Sequence, residues 1–143
     1  MHSKPEVLII GTYGIDIFHG VIEQIEDRGY LVYTADARNV AQEFLRNRQF
    51  DAILINLEPD GKGDVAELDL LQSIGAAPLQ QQAICMGVSV EYPKTLTGDK
   101  VEKHLKILAG WLTMPIKPAA LAEHLFYLLA TRQKHAIGAL QNG

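Results

Sequence analysis

Five short stretches of the chain are apolar almost throughout, and the segments between them repeat apolar residues every three or four positions. Val7–Ile10, ended by Gly11, is the first; such an uninterrupted run predicts a strand buried on both faces. Ile15, Phe18, Ile22 and Ile25 then line one face of a helix that stops at Gly29. Tyr30–Thr34, rich in aromatic and β-branched residues, predicts the second strand. The next helix turns Val40, Ala41, Phe44 and Leu45 inward and Arg38, Glu43, Arg46 and Arg48 outward. Asp51–Leu57 predicts the third strand, and the turn residues Pro59–Gly63 separate it from a helix carrying Val65, Leu68, Leu71 and Ile74. Ala83–Met86 predicts the fourth strand, residues 88–98 a loop, 99–109 a short helix and Trp111–Thr113 the fifth strand. Pro118 suits the first turn of a last helix, which Leu121, Ala122, Leu125, Leu128 and Leu129 carry to about residue 131. Strands alternating with helices imply right-handed crossovers and an α/β fold, a doubly wound five-stranded parallel sheet with helices on both faces. Residues 1–131 read as one domain, and 132–143 as a helix extension or a linker tail.

A length of 143 residues suits a single domain, and 48% hydrophobic with 21% charged residues is a globular balance. A net charge of −4 without a basic cluster gives no electrostatic reason for direct nucleic-acid contact. The single cysteine, Cys85, excludes an internal disulfide and a Cys-rich zinc site. The opening Met1–Pro5 precedes only a short apolar run, neither a signal peptide nor a membrane span, so a cytoplasmic protein is expected.

In open parallel sheets, functional groups gather beyond the carboxyl ends of the strands. Those exits are Gly11-Thr12-Tyr13, Asn56-Leu57-Glu58, Gly87-Val88-Ser89 and Met114-Pro115. Glu58 is their only carboxylate, and none offers a Lys, His or Cys nucleophile. No catalytic residue, metal ligand or cofactor is expected.

Over roughly residues 6–130 the chain resembles the receiver domains of two-component response regulators, the flavodoxin-like, CheY-like family. The resemblance rests on Val7–Tyr13, on Asp51–Leu57 and above all on Gly110–Leu121, a strand, a proline turn and a leucine-rich helix in order. It implies a phospho-acceptor aspartate ending the third strand and two acidic residues after the first strand that hold Mg²⁺. It also implies a Ser or Thr after the fourth strand and a Lys after the fifth. The matching positions here hold Asn56, Gly11 with Thr12, Gly87 and Met114, so the resemblance is to a degenerate pseudo-receiver. A rival alignment takes Lys117-Pro118 as the family's Lys-Pro pair, at the cost of a three-residue slip past the strand.

The chemistry of these residues agrees. A neutral amide cannot attack phosphorus as a carboxylate does, and Gly11 and Thr12 bring no carboxylate oxygen for Mg²⁺. A lysine left without those anions would be a half-buried unpaired charge, whereas methionine fills the space without one.

Other candidates have two readings each. Trp111 is either a half-buried ring packed between the last helices or a partner anchor. Gly11–Gly14 is a plain turn or an anion cradle at a helix start. Asp16 and Glu58 are a first-turn carboxylate and a loop charge, or a cation pair. His19 has no ligand spacing with the other histidines, and Cys85 reads as an inert core thiol.

The expected function is a signalling or regulatory protein-interaction module, not an enzyme, that works without phosphorylation. Its partner is expected to be a signalling or output protein. Trp111, Leu105 and Leu125 are the candidate contact residues, and a homodimer through the fourth-helix, fifth-strand and fifth-helix face is a further expectation. The alternative is a small-ligand sensor that uses the neutral pocket at the strand exits.

Overall fold

The computed structural model describes residues 4–11, 18–57, 68–89, 108–113 and 116–142. Within them, β1 (Glu6–Ile10), β2 (Leu31–Ala35), β3 (Ala52–Asn56), β4 (Ile84–Ser89) and β5 (Leu108–Thr113) form one sheet in the order β2-β1-β3-β4-β5. Every neighbouring pair is parallel. The helices are α1 (His19–Asp27), α2 (Arg38–Asn47), α3 (Leu68–Ala76) and α4 (Pro118–Asn142), with a 3₁₀ turn at Pro78–Gln80. This is the doubly wound, flavodoxin-like architecture expected from the alternation of patterns.

Alternation along the strands divides the interior into two cores. Val7, Ile9, Ala52, Leu54, Ile84, Met86 and Val88 pack with α1 and α4. Leu8, Ile10, Ile53, Ile55 and Cys85 pack with α2 and α3 on the other face. Since both faces are covered, each central strand must be apolar at successive positions, which is why the runs are unbroken in sequence.

α1 ends as expected at Gly29, whose φ of +88° is the left-handed conformation that a residue without Cβ adopts freely. Its partner across the sheet face is α4. Arg28 pairs with Glu123 and lies over the Phe126 ring at 4.4 Å, while Tyr30 meets Phe126 edge-on at 5.0 Å. On the opposite face, Gln80 is buried and ties α2 to the start of β3. Its Nε2 donates to the carbonyls of Leu45 (3.1 Å) and Arg48 (2.6 Å), and its Oε1 accepts from the Phe50 N–H (3.2 Å).

Two strands have a boundary that differs from the sequence reading by more than one residue. β4 runs through Gly87 and Val88 to Ser89 instead of ending at Met86, because Gly87 is held in the ladder between Ile55 and Trp111. β5 begins at Leu108, so 108 and 109 are strand instead of helix. Cys85 pairs with Leu108 and Met86 with Gly110, which leaves Ala109 as an extra residue in a bulge. The rest of the predicted 99–109 helix lies outside the described residues.

Candidate functional site

The strand order reverses direction between β1 and β3, and the exits of these two strands flank the crevice where such folds bind ligands. Gly11, the first residue past β1, is buried, and its N–H donates to the Ala35 carbonyl of β2 at 2.9 Å. Asn56 closes β3 and is only 2% exposed. It pairs with Val88 in the ladder, and the following N–H, that of Leu57, donates to the Val88 carbonyl at 2.8 Å. The backbone around Asn56 is thus held by β4. Its side-chain Oδ1 is buried and finds no hydrogen-bond partner among the described residues.

The register places the residues of the fourth strand exit. Gly87 lies opposite Ile55, inside the ladder and two positions short of the end of β4. The residue that ends β4, one step beyond the partner of Asn56, is Ser89, which is fully buried and pairs with Thr113. A hydroxyl is therefore present at the fourth strand exit after all. The signal is in the sequence: Ile84–Ser89 continues the apolar run through a glycine, which is as compatible with a strand interior as with a strand end.

Thr12 and Met114 lie outside the described residues, as do Asp16, Glu58 and Leu105. Lys117 is exposed and directly precedes α4, where its carbonyl accepts the first helical bond from the Leu121 N–H at 3.1 Å. It occupies the helix cap, four positions beyond the end of β5. The described residues at the exits of the three central strands (Gly11, Asn56, Leu57 and Ser89) carry no ionisable side chain. Among the described residues no group of three His, Cys, Asp or Glu could hold a metal ion.

The remaining candidates are dispersed. Leu125 is 0% exposed in the core between the sheet and α1, so its side chain is not available to a partner, contrary to expectation. It looked like a contact residue because helical spacing cannot tell a core-facing stripe from an interface. Trp111 stands opposite Gly87 in β5. His19 is exposed on α1 beside Glu23 at 4.0 Å. Cys85 lies in mid-strand, and burial pushes its thiol up to about 12, far from a reactive thiolate.

No family model matches the sequence, and no curated protein matches it. Solved structures do. A response regulator receiver domain protein from Methanospirillum hungatei is 18% identical with a TM-score of 0.71, over 93% of this chain and 99% of that one. The chemotaxis response regulator CheY4 of Vibrio cholerae is 19% identical with a TM-score of 0.67, over 87% and 98%. The receiver domain of a sensor histidine kinase from Pseudomonas aeruginosa, with magnesium coordinated in its active-site cleft, is 21% identical with a TM-score of 0.64, over 90% and 99%. The fold is that of CheY-like receiver domains. No helix among the described residues is long and apolar enough to cross a membrane.

Proposed function

We propose that this chain is a signalling module of receiver fold that acts on partner proteins without accepting a phosphoryl group. One observation carries the reading: Asn56, neutral and 2% exposed, closes β3 at the switch crevice. Phosphoryl transfer to this position needs an oxygen nucleophile and a nearby cation, and a carboxamide supplies neither the anionic charge to attack phosphorus nor a carboxylate to hold the metal. The hydroxyl of Ser89 does not replace it. Ser89 is fully buried, and a serine hydroxyl is a weak nucleophile until a base activates it. The cap position of Lys117 favours Met114 as the residue at the fifth strand exit, which would complete the loss of the ionic set.

The test is incubation with acetyl phosphate, and separately with beryllofluoride, each with Mg²⁺, followed by amide NMR. No change is expected at Asn56, Leu57 or Ser89. Saturable shifts centred on Asn56 would overturn the proposal.

A second reading, a small-ligand sensor, is favoured by the unpartnered Oδ1 of Asn56, a buried acceptor placed at the binding crevice of the fold. A rise in Tm with an uncharged hydrogen-bond donor, abolished in Asn56→Leu, selects it over the first.

A further inference from the structure

The arginines whose side chains are described fall into two groups. Arg28 pairs with Glu123, Arg38 with Asp69 at 3.4 Å and Arg48 with Glu6 at 2.5 Å. Arg46 makes no ion pair among the described residues. It lies in the last turn of α2, where the carbonyls of Leu45 and Arg48 are already satisfied by the buried amide of Gln80. A cation there also suits the carboxyl end of the helix dipole.

Arg46 borders a groove of about 500 Å³ between α2 and the end of α3 with its following turn. The floor and far wall are apolar, formed by Leu45, Ala76, Ala77, Pro78 and Leu79, and no acidic side chain among the described residues lines it. Leu79 is 40% exposed, one of three large hydrophobic side chains so exposed among the described residues. A guanidinium beside an uncovered apolar floor matches the chemistry of interface hot spots. The groove is built on Leu45 and the turn that precedes β4, so it lies at the amino ends of the strands, the opposite end of the sheet from Asn56.

We propose that this groove docks a segment of a partner protein carrying a large apolar side chain next to a carboxylate. The apolar side chain covers Leu79, and the carboxylate takes the paired N–H donors of Arg46, a fit that planar guanidinium makes with carboxylate geometry. A nucleic acid is disfavoured, because one cation over an apolar floor offers no track for a phosphate backbone and the chain carries −4 overall. The inference rests on reading the chain as an interaction module but not on the state of the Asn56 site. Uptake of a phosphoryl group would refute that earlier reading and leave the groove untouched.

The experiment selects short random peptides, displayed on phage, against the full chain, with the Arg46→Glu chain used to remove other binders. Enriched peptides are expected to carry Asp or Glu within one helical turn of a large apolar residue. A synthetic copy is expected to shift the amides of Arg46, Ser73, Ala76 and Leu79, and to bind Arg46→Glu about tenfold more weakly. Replacing its acid by lysine is expected to restore binding to Arg46→Glu. Arg46 is exposed, so its substitution is expected to lower the unfolding midpoint only slightly, through the charge reversal at the carboxyl end of α2, and to leave the fold intact for the comparison. No enrichment, enriched peptides without a carboxylate, amide shifts elsewhere, or equal affinity for both chains would each overturn the proposal.

Discussion

Gly20 of α1 and Pro118 of α4 approach so closely that a methyl group added to Gly20 would sit 2.7 Å from Pro118 Cγ. The proline ring is stiff and begins its helix, so it cannot swing aside as a long side chain would. Alanine at position 20 gains about 1 kcal/mol in helix propensity but overpacks a rigid contact costing about 1–3 kcal/mol. Gly20→Ala is expected to lower the urea midpoint in spite of its better helix propensity, and the same substitution beside Pro118→Ala is expected to be neutral or stabilising.

Gln80 satisfies one buried donor and two carbonyls with a single amide. Gln80→Leu fills the volume but leaves these groups without partners, at a cost of about 2–4 kcal/mol in equilibrium unfolding. Gln80→Glu keeps the acceptor for the Phe50 N–H and turns a second oxygen towards the Leu45 and Arg48 carbonyls. Its carboxyl is then favoured in the protonated form when folded, so the variant loses stability as pH rises above about 4.

Substitution of Asn56 tests whether its amide serves folding or binding. Its Oδ1 lacks a partner among the described residues, so an apolar residue of similar size removes a penalty of about 1–3 kcal/mol. Asn56→Leu is expected to unfold at the same or a higher urea concentration than the parent. A clear loss of stability would show that the amide is needed by the fold itself.

Cys85 links stability to alkaline pH. Burial raises its thiol from 9.0 to about 12, so the folded state holds the proton over a range where the unfolded chain releases it. The contribution is intact below pH 9.0 and is lost as pH rises from there towards 12. Unfolding free energy is expected to fall by up to about 1.4 kcal/mol per pH unit in that window, a slope that Cys85→Val removes. The thiol is expected to react with an aromatic disulfide reagent only after denaturant is added.

Much of the architecture was readable because covering a parallel sheet on both faces forces five apolar runs, and the repeat between runs forces helices on either side. Asn56 at the end of the third strand was legible in the same way. The ends of β4 and β5 were not. When every position of a strand is buried, period-two alternation disappears, and where the strand stops depends on which neighbour continues to offer hydrogen bonds. Pairing with Ile55 and Trp111 carried β4 through Gly87 to Ser89, and pairing with Cys85 drew Leu108 out of a helical spacing. The same limit hid the burial of Leu125 and the lack of an ion pair at Arg46 among the described residues. A helix sequence shows which residues share a face, but only packing decides whether another element, a carboxylate or solvent lies opposite that face.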